Sequence, residues 1–323
     1  MSIPTMRKLD RFLPTHALLL LLALSALLPV ALFGWTAWSE RGRVLDQGRQ
    51  AAIRTVWALH EHAAKVFETH QLILGETVRR IEGRSWDDIE ADSRLWSHLS
   101  AAARDMNQVA AIILADAEGV VRLSTAAYPV QAGTSVAERG FWRFHHDGGS
   151  GTYFGPTRLD GNGQRVMSVS QRLLTPEGAF AGVAQISVPV SYFTDFWERF
   201  APTIAHVIPL VRSDGEVIAR FPAREGPERL NPDGPFLRRA KAEREGTYTA
   251  VSQVDGVERL NAYTRVRDYP LHISFSVETR ALLAQWRQRM ALLGAFSALA
   301  AAAALAAAAA VAIRHHRSEQ AAT

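Results

Sequence analysis

The sequence predicts an α+β protein in which a long N-terminal helix leads into two antiparallel-sheet units, with a transmembrane helix at each flank. Three observations carry this reading. Two uncharged apolar runs, Ala17–Trp38 and Met290–Ile313, bracket the chain. The stretch Glu40–Gly83 contains no proline and keeps apolar residues at helical spacing. After it, short β-type runs punctuated by Gly and Asp occur twice in the same order.

Each apolar run lasts about 22–24 residues, and a hydrocarbon core needs roughly 20 residues of helix. Arg7, Lys8 and Arg11 precede the first run as the n-region of a signal peptide would. Its core exceeds the roughly 7–15 residues of a cleavable segment, and Trp35 and Trp38 suit an interfacial belt, so an uncleaved anchor is expected. The second run is nearly poly-alanine from Ala300 to Ala310, which lets another helix approach closely. Two spans put both termini on one side. The short basic flanks Arg7-Lys8 and Arg314-His315-His316-Arg317 mark that side as cytoplasmic, because long loops cross largely regardless of charge. The expected organisation is a cytoplasmic N-terminus at 1–16, a first span at 17–38, a soluble block facing the periplasm or exterior, a second span at 289–313 and a cytoplasmic tail at 314–323. Such a chain belongs in the cell inner membrane. The chain has no cysteine, so no disulfide or thiolate chemistry is available. Its net charge of +4 is spread without a dense basic block, which speaks against nucleic acid as a partner.

The soluble block opens on a helix over 39–83 whose apolar positions include Ile53, Val56, Trp57, His60, Ala63, Phe67, Leu74, Val78 and Ile81. Spacings of three and four make it amphipathic. Its near-heptad stripe suits either a second copy, giving a homodimer, or its own domain, since the period does not name the partner. Beyond the helix, Val109–Val121 is echoed by Val207–Ile218, each a strand, an Asp/Gly turn and a returning strand. Gly151-Thr-Tyr153 is echoed by Gly246-Thr-Tyr248, and Gly163–Leu173 by Gly256–Val266. Three ordered matches displaced by roughly 93–97 residues indicate two copies of one α+β unit.

These residues resemble a known family. A helix leaving a membrane anchor, two successive PAS-like units and a return into a second anchor are similar to the double Cache sensor domains of bacterial transmembrane receptors. The most specific stretches are Ala137–His145 with Arg139-Gly-Phe141-Trp142, Gly151–Pro156, Val166–Arg172, Gly178–Ile186 and Tyr192-Phe193. The likeness covers roughly Glu40–Gln288 and is strongest in its first half. It implies a membrane-distal PAS-like unit at 84–195 and a membrane-proximal one at 196–288.

The resemblance further implies a small-molecule pocket in the first unit. Amino-acid-binding members use an Arg-x-Trp-Tyr element for the ligand carboxylate and a later aspartate for its amino group. Here Arg139 is kept, the aromatics shift to Phe141 and Trp142, Gln185 stands in place of the aspartate, and Gly155 sits where a second acid is expected. An ammonium would lack its anionic partner, so a carboxylate or other anion is favoured over a free amino acid. The candidate ligand-binding residues are Arg139, Phe141, Trp142, Tyr153, Arg172 and Gln185. On a strand, Val166, Ser168, Ser170 and Arg172 share one face and Arg165 lies on the other.

Neither a metal nor a cofactor is expected. His145-His146-Asp147 are adjacent residues that do not converge on an ion, and His60, His62 and His70 lack the i, i+4 pairing of a helical zinc site. There is no phosphate-cradling loop, no Gly-x-Ser-x-Gly elbow and no cysteine nucleophile, so no catalytic residue is assigned. The expected function is a membrane-anchored small-molecule sensor. The alternatives are an assembly protein dimerising through helix 40–83 and an extracytoplasmic enzyme. Only ten residues, Arg314–Thr323, follow the second span. A kinase, cyclase or chemoreceptor output is therefore expected on a separate partner or missing from a truncated gene.

Overall fold

The computed structural model describes residues 15–200, 204–223 and 228–320, so the flank Arg7-Lys8 and the end at Thr323 lie outside the described residues. Two compact units are present, one formed by residues up to Gly48 together with Arg280 onward, the other by Arg49–Thr279.

In the first of these, the N-terminal part of helix α1 (Thr15–Ile81) accompanies helices α7 (Thr279–Leu282) and α8 (Ala284–Gln320). Both α1 and α8 contain a stretch long and apolar enough to cross a membrane. Their leucines stay uncovered, with Leu20, Leu27, Leu292 and Leu299 each more than half exposed. A Cβ on Gly294 would come within 3.2 Å of Phe33, so the small residue lets the two helices approach there.

Arg49–Thr279 holds two lobes. After α1, Ser85 and Asp92 cap the short helices α2 (Trp86–Ala91) and α3 (Ser93–Asp105) by accepting from first-turn amides. The first sheet then forms from β1 (Ala111–Asp116), β2 (Val121–Ser124), β3 (Tyr153–Leu159), β4 (Arg165–Leu174) and β5 (Phe180–Pro189), with α4 (Gly140–His146) inserted before β3. Helix α5 (Val190–Phe200) leads to β6 (His206–Arg212), β7 (Val217–Phe221), α6 (Pro235–Ala242), β8 (Glu245–Val251), β9 (Glu258–Arg265) and β10 (Leu271–Glu278). The sheet orders are β2-β1-β5-β4-β3 and β7-β6-β10-β9-β8, so the repeat read from the sequence is a repeat of topology.

Register refines that repeat. Tyr153 pairs with Ser170, Ser170 with Gln185 and Gln185 with Ile113. In the second sheet Tyr248 pairs with Asn261, Asn261 with Ser276 and Ser276 with Val207. The two rows are equivalent, which confirms Tyr153 against Tyr248. Arg172 lies two residues beyond Ser170, whereas Arg265 lies four beyond Asn261, so these arginines are not structural counterparts. Gly182, at φ +143°, sits where a Cβ would fall 2.1 Å from the Ala115 carbonyl, and this close strand approach requires glycine.

The α1 stripe has an internal partner. Phe67 and Leu74 are completely buried, Val56 and Ala63 nearly so. The Phe67 ring meets Phe154 at 5.2 Å, Phe193 at 5.6 Å and Tyr269 at 6.0 Å. The expectation that this stripe could serve a second copy is therefore corrected: it is the core of its own chain. Trp57, expected on the stripe, instead lies 41% exposed on the outer side.

Candidate functional site

Helix α4 and the chain before it cover one face of the first sheet. Beneath them Phe141 and Trp142 join Ala115, Val121, Val136 and Val183 in a buried cluster, with Tyr153 and Phe180 packed against it. The Trp142 indole donates to the Asp116 carbonyl at 3.1 Å, which fixes α4 over the β1–β2 turn. Phe141 and Trp142 thus serve the core under the lid.

The same face carries a buried polar row. His145 Nε2 lies 3.0 Å from the Ser170 hydroxyl, and burial pushes the imidazole pKa down. Gln185 is fully buried; its amide nitrogen donates to Ser187 at 3.1 Å while its Oε1 has no hydrogen-bond partner among the described residues. A buried carbonyl oxygen left unpaired costs about 1–3 kcal/mol, so a donor arriving here is stabilised. Tyr153 flanks the row on β3, half-buried, with its ring stacked on Phe144.

Arginines surround this row. Arg172 extends along β4 with its guanidinium 5.1 Å from the Phe180 ring. Arg139 occupies the N-cap of α4, exposed and making no side-chain cap. Arg158, which sequence reasoning missed, is half-buried and reaches the Ser187 hydroxyl at 3.4 Å. Burial first, and the nearby Arg139 charge second, lower its pKa. Among the described residues none of these three arginines has an ion-pair partner. Arg165, by contrast, is exposed and reaches Glu228 at 3.4 Å.

The signal that hides Arg158 is a β-bulge. Counted by alternation from Tyr153, Arg158 would face the opposite side. The register of β3 against β4 shifts between Phe154 and Thr157, however, so Arg158 pairs with Val166 and returns to the face of Ser168 and Ser170. Gly155 stands inside this bulge, where an added Cβ would meet Ser168 Cβ at 3.1 Å; packing leaves no room there for an acid.

A family model described as a histidine kinase sensor domain, dCache_1-like, matches residues 190–276. That is the second lobe, whereas the sequence pattern places the stronger likeness in the first. Comparison with curated protein sequences gives no match. The solved extracellular domain of rpHK1S-Z16, described as a histidine kinase, aligns with TM-score 0.66 and 24% identity, covering 75% of this chain and 99% of that one. The ligand-binding domain of the Pseudomonas fluorescens chemoreceptor CtaA in complex with L-isoleucine gives TM-score 0.54 and 14% identity, covering 77% and 99%. That of the Pseudomonas aeruginosa amino-acid chemoreceptor PctC in complex with GABA gives TM-score 0.50 and 13% identity, covering 70% and 97%. The two lobes of this chain have the double Cache fold of receptor sensor domains, flanked in sequence by two helices apolar enough to span a membrane.

Proposed function

We propose that the chain is a membrane-anchored sensor that binds a small carboxylate, or another anion of similar size, on the α4-covered face of its first lobe. The observation that carries the reading is the set Arg139, Arg158 and Arg172 around the buried Ser170–Gln185 row, guanidiniums without carboxylate partners beside an unpaired acceptor. A guanidinium meeting a carboxylate forms a charge-assisted, often bidentate pair. The chemoreceptor domains of similar fold were solved with L-isoleucine and GABA, both of which carry a carboxylate and an ammonium. Here Gln185 and Gly155 bring no negative charge to the positions where an acid would receive the ammonium, and the unpaired Gln185 Oε1 is left to accept from a neutral donor, which favours a ligand without an ammonium.

The sensor faces outward with both termini cytoplasmic, a reading supported by two spans with basic flanks. Reporter fusions at Thr323 and near Gly163 are expected to report opposite sides of the membrane; a periplasmic readout at Thr323 reverses the topology. Ligand recognition is tested by thermal unfolding of the full chain in lipid nanodiscs with short-chain carboxylates and the amino acids of equal chain length. A bound ligand stabilises by about RT ln(1 + [L]/Kd), so carboxylates are expected to raise Tm and the amino acids to do so less. Introducing the missing acid with Gln185→Asp is expected to reverse that order, and an unchanged order would remove Gln185 from the site.

A further inference from the structure

The second lobe contains a cavity of about 900 Å³ between its sheet and helix α6, within the size range of small-molecule sites. Its floor is the row equivalent to Tyr153–Ser170–Gln185, here Tyr248, Asn261, Ser276 and Val207. Its walls are mostly apolar, with Phe236 and Leu237 of α6 on one side. We propose that this cavity is a second ligand site, selective for an uncharged, largely apolar molecule that carries one hydrogen-bond donor.

The charge balance differs from that of the first lobe. Arg259, buried at the cavity edge, is held by both oxygens of Asp255 at 2.6 and 2.7 Å, with Glu278 at 3.6 Å. Arg229 pairs with Asp214 at 3.1 Å, and Arg220 is engaged as well. Arg259 and Arg229, already paired with carboxylates, offer an incoming anion little gain, and the anion would still lose its hydration. An apolar guest meets no such cost.

The polar floor sets the hydrogen-bonding requirement. Asn261 spends its amide protons on the Arg259 and Tyr248 carbonyls, at 2.9 and 3.4 Å. Its Oδ1 accepts from the Ser276 hydroxyl at 2.6 Å. With the amide protons and the Ser276 hydroxyl proton committed, and the Ser274 hydroxyl donating to Ser276 Oγ at 3.4 Å, the second lone pair of Oδ1 and one lone pair of Ser276 Oγ remain as acceptors. A guest with an N–H or O–H therefore fits the Asn261–Ser276 pair better than one carrying only acceptors.

The chain has no cysteine, so one introduced thiol reports on the cavity without background. Ala250→Cys places it in the wall, and Glu245→Cys, at the exposed end of the same strand, serves as control. The full chain in nanodiscs is labelled with N-ethylmaleimide while indole, an uncharged N–H donor, or indole-3-carboxylate is titrated in. Indole is expected to slow labelling at Ala250→Cys saturably and severalfold, to leave Glu245→Cys unaffected, and to outcompete the carboxylate at the cavity. Ser276→Ala in the Ala250→Cys background, a small truncation that keeps the fold, is expected to weaken protection severalfold. Absence of saturable protection by indole, equal protection by indole-3-carboxylate, equal protection of both thiols, or protection unchanged by Ser276→Ala would each overturn the proposal. The readout is local to the second lobe, so it stands or falls independently of carboxylate binding in the first.

Discussion

Arg158 joins the proposed binding face only because one residue is added to β3, and strand alternation, the sole guide to facing available in a sequence, gives the wrong answer beyond a bulge. Arg139, Arg172 and Gln185 enter the proposed site through a family resemblance or an unbroken strand. The roles of Ser170, Ser187 and His145 depend on cross-strand register, which a single strand does not encode. Removing one guanidinium from a carboxylate forfeits about 1.5–3 kcal/mol. Arg158→Ala and Arg139→Ala are therefore each expected to weaken carboxylate binding roughly ten- to a hundredfold with Tm in the absence of ligand little changed, as calorimetry and melting would measure. A second residue-scale prediction concerns His70, fully buried, with Nε2 donating to the Gln108 carbonyl at 2.9 Å. Burial lowers its pKa from 6.5 to about 4. The unfolded chain takes up this proton as pH falls below about 6.5 while the fold resists it until about 4, so stability is fully present above that window and is lost through it. At about 1.4 kcal/mol per unit the loss from this one group is at most roughly 3.5 kcal/mol. Melting temperature is expected to drop on acidification, and His70→Gln is expected to flatten the slope.

At the scale of elements, helix α1 shows where periodicity informs and where it stops. Spacings of three and four located the apolar face correctly, but the same pattern suits a coiled coil and a domain core. Tertiary packing decides for the core, because Phe67 finds Phe154, Phe193 and Tyr269 around it. Phe67→Glu is therefore expected to abolish folding rather than to separate a dimer, since it buries an unpaired charge at a site with no exposure. Circular dichroism together with sizing checks this; a folded monomer would restore the interface reading. Any self-association through α1 has to use its outer face, where Trp57 and Leu72 are 41% and 71% exposed. The turns were equally legible, because an Asp/Gly pair closes both β1–β2 and β6–β7. Gly182 was not, since its need for glycine arises from a neighbouring strand. Gly182→Ala is expected to lower Tm by several degrees, through positive φ and the clash with the Ala115 carbonyl.

At the scale of the whole sensor region, strand β3 ties the binding face to the second lobe. Tyr153 shares the face of Ser170, and the next residue, Phe154, packs on Tyr269 at 4.9 Å while its carbonyl accepts from Arg212 at 3.2 Å. The Thr157 amide donates to Glu216 at 2.8 Å. On α1, Gln71 donates to Thr152 at 2.9 Å and accepts from the Tyr269 hydroxyl at 2.8 Å, so one side chain holds both lobes. Arg267, at φ +46°, reaches Glu68 and Glu61 on the same helix. Two-lobe architecture was readable from the ordered repeat, whereas these cross-links join residues up to 206 positions apart and had no local signal. Gln71→Leu is expected to leave carboxylate affinity near that of the parent while uncoupling the lobes, seen as faster amide exchange in β10 of the ligand-bound chain. The central claim, a carboxylate held by arginines under α4, is tested most directly by calorimetric titration of the full chain in nanodiscs with short-chain carboxylates, alongside Arg158→Ala. The account predicts saturable binding that weakens at least about tenfold in the variant; no carboxylate heat in the parent chain, or equal affinity in both proteins, would contradict it.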